Sequence, residues 1–385
     1  MHRTTGVAGA LVVLLSGLLI GPSAAGAVAT TTWRTDGYGP GNTGYNPIET
    51  TISADTVGTL AQRWSVISPI VRDSCSRQSP PVVANNKIYL TDQGGIAAYD
   101  AATGARVWSH RFTTPADEVT PRLTVVGTRL IAALNSCVSV SDPDGDLMSF
   151  DANTGAQQWR VSRDAPMTTL VVDKDVVVVS GQDVGDPAVT AYRITDGAQL
   201  WTQTATLPRP VSANGRLLLS RYEAAGSDLV DIRTGAVIWS SPTSWTVLAA
   251  GPAGGPLFAA GPAGELARIN VETGAVGWTQ AGAAGQVSTD GARLYVAQGT
   301  QIIARDAATG GELWRHVYTV QLGKPVVAAG VLYVTASGAR VHVLNPATGA
   351  VLDESAPYEG VVGHPVVVNG RLYVTTGRLL DAYSL

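Results

Sequence analysis

The sequence is poor in charge. Asp, Glu, Lys and Arg make up only 15% of its 385 residues, and the formal net charge is -4. A nucleic-acid binder needs a basic patch to meet phosphate, and this chain has none. Histidine is scarce as well. The five, at 2, 110, 316, 342 and 364, show no HxxxH or HxH spacing, so no zinc site is indicated. No G-x-S-x-G occurs, and no Gly-rich phosphate loop stands between a strand and a helix. After Ile20 no apolar run reaches the length of a membrane span. Cysteine is limited to Cys75 and Cys137.

What is present is glycine, 43 residues of it, with 45% hydrophobic residues, the composition of ordered strands and turns. One short stretch recurs at roughly 40-residue spacing. It reads AAYDAATGARVW at 97–108, then SFDANTGAQQW, LVDIRTGAVIW, RINVETGAVGW and ARDAATGGELW, with looser copies AYRITDGAQLW and VLNPATGAVLD. An apolar alternating run meets a D/N-x-x-T-G turn. The Asp or Asn bonds its own downstream backbone, Gly accepts positive φ, and a second alternating run ends on Trp. The expected Trp series is Trp64, Trp108, Trp159, Trp201, Trp239, Trp278 and Trp314, with Asp353 in the last slot. A lone hairpin cannot bury an indole, but a stack of such units can, by packing each Trp against its neighbour.

The units read as four-stranded sheets. The first has strands at 81–83, 87–91, 96–99 and 106–112. Similar quartets end near Trp159, Trp201, Trp239, Trp278, Trp314 and Asp353. The last unit, HPVVVNGRLYVTTGRLLDAYSL, has three strands, and the orphan strand around Trp64 supplies the fourth. The expectation is an all-β, eight-bladed β-propeller over 57–385, its last blade closed by the N-terminal strand. Residues 28–56, rich in Gly and turn residues, form a lead-in expected to lie over one face. Residues 1–27 read as a secretory signal: His2 and Arg3 precede an apolar run over 7–20, and the A-x-A sites at 25–27 and 27–29 place the cut before Val28 or Thr30. An uncleaved anchor is the alternative. No Cys near the cut supports a lipid anchor.

The A-x-D-x-x-T-G-x-x-x-W hairpin resembles the tryptophan-docking motif of the quinoprotein-like (PQQ-like repeat) β-propeller superfamily. The lead-in WRTDGYGPGNTGYNP with VGTLAQRW is similar to its N-terminal closure segment. The resemblance implies the fold across nearly all of the mature chain. The superfamily holds pyrroloquinoline-quinone dehydrogenases, a non-catalytic propeller that helps assemble outer-membrane barrels, and sensor propellers of bacterial kinases. Quinone dehydrogenases sandwich the cofactor with a vicinal Cys pair and hold calcium with carboxylate and amide ligands. This chain has no adjacent cysteines and no catalytic residue to match, so no cofactor is expected, with quinone and calcium kept as the alternative.

Candidate site residues follow from blade geometry. Eight residues before the first apolar residue of each second strand lies the start of the innermost strand, at the mouth of the central channel. That count gives Pro80, Thr168, Arg209, Gln286, Lys324 and His364; Thr120 takes the place in the second blade, and the fifth blade, GPAGGPLFAAGPAGE, gives no equivalent. Arg209, Lys324 and His364 would ring the mouth with positive charge, unless Asp117, Glu118 and Glu359 cancel it. Trp245, Tyr222 and Tyr358 lie near the same rim, either as exposed aromatics for a partner or as loop packing. Asp142, Asp144 and Asp146 alternate as calcium ligands often do, or form a solvated turn. The leading expectation is a secreted, non-catalytic scaffold that holds an extracellular or envelope protein, or a small ligand, on the funnel rim. A small quinone-dependent oxidoreductase and a carbohydrate- or cell-wall-binding module are the alternatives.

Cys75 and Cys137 fall on one rim in adjacent blades, either bridged or as two free thiols. In a secreted chain a bridge closing so long a loop would add about 4 kcal/mol. Peptide mapping without reductant is expected to recover a pair linked through Cys75 and Cys137. Two free thiols would contradict the shared rim or the oxidising compartment.

Overall fold

The computed structural model describes residues 1–2, 32–69, 78–92, 94–113, 120–136, 144–182, 186–336, 340–354 and 363–385. Cys75, Cys137, Asp142, Tyr358, Asp117, Glu118, Glu359 and the leading segment from 3 to 31 lie outside these residues.

Eight antiparallel sheets follow one another along the chain. In the first, Val82–Ala84 pairs with Lys87–Asp92, which pairs with Gly95–Asp100, which pairs with Arg106–Arg111. The strand burial explains the order. The second and third strands are nearly all buried, while the fourth alternates between exposed and half-buried and faces outward. Six further quartets repeat this pattern. The eighth sheet consists of Val366–Val368, Arg371–Thr376 and Leu379–Ser384, and its outer strand is Ala61–Ile67, antiparallel to Leu379–Ser384 with Trp64 opposite Ala382. Strands from the two ends of the chain thus close the ring, as expected. Among the described residues, helix is confined to 3-10 turns at Val57–Thr59 and Pro252–Gly254. No described helix is long and apolar enough to cross a membrane.

The core lies between sheets. One cluster joins Val82, Tyr89 and Ile96 of the first blade to Leu123, Leu130 and Phe150 of the second. Equivalent clusters join each later pair, and a larger one spans blades seven, eight and one, taking in Trp33 and Ile52 of the lead-in.

The recurring turn builds the outer seam. Asp100 Oδ1 accepts the amides of Ala102 (3.0 Å) and Thr103 (2.9 Å) and the Thr103 hydroxyl (2.9 Å). Asp151, Asp231 and Asp306 repeat the set. Hydrogen bonds from the Thr hold the Asp100, Asp151 and Asp306 carboxyls below the usual range. The Gly that follows has φ between 70° and 76°, which a side chain tolerates poorly. It is also bare for a second reason. A Cβ there would stand 2.6–2.9 Å from ring atoms of the preceding blade's Trp: Trp64 on Gly104, Trp108 on Gly155, and so on to Trp314 on Gly349. The indole N–H of Trp108 donates to the Ala152 carbonyl at 3.0 Å, and Trp159, Trp201, Trp239, Trp278 and Trp314 do the same one blade on, at 2.9–3.3 Å. Trp64 is the exception. Its buried Nε1 has no partner among the described residues; the equivalent Ala101 carbonyl accepts the Tyr373 hydroxyl, as Ala152 accepts that of Tyr89. The Asp353 departure has a structural reason. The eighth blade's third and fourth strands come from opposite ends of the chain, so no T-G turn links them. The Val57–Thr59 turn packs against Val351–Glu354 there instead.

The lead-in does not lie over a face; it runs inside the channel. Each innermost strand presents an unpaired edge to the axis. Trp33 exchanges both backbone hydrogen bonds with Val83 (2.7 and 2.9 Å). The carbonyls of Arg34, Pro40, Gly41, Thr43 and Gly44 accept the amides of Val125, Ser212, Ala250, Thr289 and Val327 at 2.7–2.9 Å. The Asn46 side-chain amide donates to the Val367 carbonyl at 2.8 Å, and Tyr45–Asn46 joins Val326–Ala328 as a parallel fifth strand. Blades 1, 2, 4, 5, 6, 7 and 8 are touched in turn, near the C-terminal ends of their innermost strands. The lead-in therefore lines that end of the channel.

Trp201→Ala is expected to lower unfolding stability by about 3–5 kcal/mol, and Gly235→Ala to lower it too, because its Cβ would strike Trp201 and its φ is 70°. Asp353→Trp should bring no gain, since no turn Gly stands opposite. Denaturant melts of the three variants check this.

Candidate functional site

The channel encloses a cavity of about 710 Å³. Five of the six residues that the count picked, Pro80, Thr168, Gln286, Lys324 and His364, line it, as does Thr120. Arg209 contributes its backbone to the fourth blade's innermost strand, Thr206–Ser212, where the pairing slips between Pro208 and Ser212. The fifth blade defeats the count because six residues, 251–256, separate its first two strands, Thr246–Ala250 and Leu257–Ala260; Val247 and Leu248 line the cavity there. Sequence reasoning missed Asp36 and Asn42, which the lead-in carries into the channel, and Arg122, two residues past Thr120.

The charges are not the ring expected. Lys324 is only 8% exposed and sits within the channel rather than on its rim. Its Nζ donates to the Asn42 carbonyl at 3.2 Å and to Asn42 Oδ1, binding the seventh blade to the lead-in. Burial pushes the ammonium down to about 8, against the pull of the Asp36 carboxylate. His364 is pushed below its usual range by burial; Asp36 opposes this and Lys324 adds to it. Its Nδ1 is buried with no partner among the described residues. Asp36, Thr168, Gln286 and Arg122 are the exposed members of the lining among the described residues. Arg122 is anchored, its Nε donating to the Thr168 carbonyl at 2.7 Å.

The aromatic rim is also reduced. Trp245 is buried, packing with Val247, Leu257 and Ile269, and its indole N–H donates to Ser241 Oγ at 3.2 Å. Of its two readings, loop packing holds, because the ring falls at the start of the fifth blade's innermost strand and fills the space between sheets. Tyr222 is half-buried, and its hydroxyl accepts from Gln182 Nε2 at 3.2 Å. In the acidic stretch, Asp144 is exposed. Asp146 lies in the strand Gly145–Asp151, where Arg160 Nε (2.8 Å) and the Ser162 hydroxyl (2.6 Å) both donate to its Oδ1. Arg160 already supplies the positive charge that a cation would bring.

Lys324 generates a pH signature. Folded, it releases its proton near pH 8; its ordinary value is 10.5. Between these values the unfolded chain holds the extra proton, so stability rises with pH across the window and the cost of charging Lys324 is complete below it. Unfolding free energies of wild type and Lys324→Met should diverge in the wild type's favour from pH 8 to 10.5, by up to roughly 3 kcal/mol. A constant difference would mean an ordinary lysine.

The geometry can be set beside known proteins. The family described as outer membrane protein assembly factor BamB matches residues 49–222, 226–320 and 298–383. The chain is 26% identical over 345 residues to the outer membrane protein assembly factor BamB of Shewanella oneidensis, covering 81% of this chain and 85% of that protein. It is 28% identical over 171 residues to the 1-butanol dehydrogenase (cytochrome c) of Thauera butanivorans, 42% of this chain but only 24% of the dehydrogenase. Among solved structures, the quinohemoprotein alcohol dehydrogenase ADHIIG from Pseudomonas putida HK5 shares the fold, with a TM-score of 0.71 at 14% identity, over 92% of this chain and 80% of that one. With family matches extending from residue 49 to residue 383 and a ring of eight blades, the chain belongs to the outer membrane protein assembly factor BamB family of PQQ-like repeat propellers.

Proposed function

We propose that the protein is a non-catalytic scaffold of the extracytoplasmic envelope that holds a partner protein on the mouth of its channel. One observation carries this reading. The lead-in occupies one end of the channel and takes two hydrogen bonds from Lys324, while Thr168, Gln286 and Arg122 at the starts of their strands are exposed and available to a partner. The match to an assembly factor over most of both chains supports the role class, and the apolar run over 7–20 with its A-x-A sites supports export. The indole-on-glycine repeat supports reading the D/N-x-x-T-G-x-x-x-W stretch as a docking motif that makes the platform rigid.

The lining does not fit a quinone held with calcium. Asp36 is its only carboxylate among the described residues, and Lys324 and His364 interact with it electrostatically. Apart from the His364 imidazole, no described lining residue offers a ring to stack on a quinone, and the two cysteines are far apart in sequence. The carbohydrate reading loses Trp245, the aromatic it most needed.

A photo-crosslinking residue at Gln286 or Thr168 is expected to trap one envelope protein in the producing cell, while the same residue at the outer-strand position Val237 traps none. Equal trapping at all three positions, or none at the mouth, would defeat the scaffold reading.

A further inference from the structure

The interior of the channel has a chemistry the scaffold role does not use. The geometry points to a binding site, inside the channel, for a small organic monocarboxylate with an apolar body. This deepens the scaffold reading by giving the same funnel a ligand class.

Size comes first. About 710 Å³ lies within the range of small-molecule sites, and the lead-in lines part of the cavity. Charge comes next. The charged lining residues among those described are Lys324, Arg122 and Asp36, two cations and one carboxylate, with His364 held towards its neutral form. Among the described lining residues one positive charge is left over, which one carboxylate would balance. The guanidinium is positioned for that task. Its Nε is spent on the Thr168 carbonyl, which fixes the plane of the fork, and its terminal nitrogens, with no hydrogen bond to the described residues, can receive a carboxylate. Nδ1 of His364, buried without a partner among the described residues, is a polar atom that a bound ligand or water would satisfy. Finally, the wall is apolar over much of the ring: Val82, Leu123, Leu170, Val247, Leu248 and Val287, from blades 1, 2, 3, 5 and 6. A carboxylate with no apolar body would leave that wall wet, and an apolar molecule without charge would leave the positive excess unmatched.

The test uses calorimetric titration of the full chain with three matched probes: 4-phenylbutyrate, 4-phenylbutan-1-ol and 4-phenylbutylamine, with acetate as the acid lacking a body. The acid should bind at least tenfold more tightly than the alcohol and than acetate, and the amine should give no heat. Arg122→Met, at an exposed position, should weaken the acid at least tenfold without moving the thermal midpoint, and His364→Phe should weaken it as well. Affinity should also fall as pH rises through 8, where Lys324 discharges; Asp36, His364 and Arg122 are the other titratable or charged groups lining the cavity among the described residues. Equal binding of acid and alcohol, survival of acid binding in Arg122→Met, or no binding of the acid up to 10 mM would overturn the proposal. The scaffold reading fails separately, through crosslinking at Gln286 and Thr168, because that readout needs no carboxylate.

Discussion

The structure depends on an indole resting on a bare glycine. Trp201 illustrates the constraint. Its ring lies where a Gly235 side chain would have to be, and its N–H donates to the Ile232 carbonyl of the same turn. The turn owes its shape to Asp231, which gathers the amides of Arg233 and Thr234, so the aspartate, the glycine and the tryptophan of two neighbouring blades form a single contact. Six links of this kind carry both the ring contact and the hydrogen bond, and the Trp64 link carries the ring contact alone.

The second constraint is edge pairing. A propeller hides its outer surface in alternation but leaves each innermost strand with open backbone groups. Here the lead-in supplies carbonyls to successive blades, at a place where its glycines matter. Gly44 has φ 58°, and a side chain on it would stand 2.2 Å from Ser288 Oγ. Lys324 belongs to the same arrangement. Its charge is driven out of water to tie the seventh blade to Asn42, and the cost appears as a lowered proton affinity.

Much of the fold was legible because the repeat is physical: a turn residue, a glycine and a ring at constant spacing. The shared cavity was legible for the same reason, since Pro80, Thr168, Gln286, Lys324 and His364 occupy one position of that repeat. What the repeat does not encode stayed hidden. The lead-in has no period, and its contacts are made by backbone carbonyls, which any sequence carries. Nothing in the string therefore placed Asp36 and Asn42 inside the channel. Lys324 reads as a surface cation until its partner is known. Trp245 breaks the docking pattern, so its spacing could not decide between an exposed aromatic and loop packing; it is buried between sheets at the start of the fifth blade's innermost strand.

The closing sheet has a kinetic meaning. Ala61–Ile67 finds its partner in Leu379–Ser384, almost the whole chain later, and the lead-in must meet strands from seven blades. Contacts of such long separation form slowly and only after their partners exist. The earliest segment to be synthesised is thus among the last to settle, and until Ser384 has emerged, the eighth blade keeps an unpaired edge open to other chains. Seven blades complete in the order of synthesis, and ring closure holds back the strand Ala61–Ile67 until the last one exists.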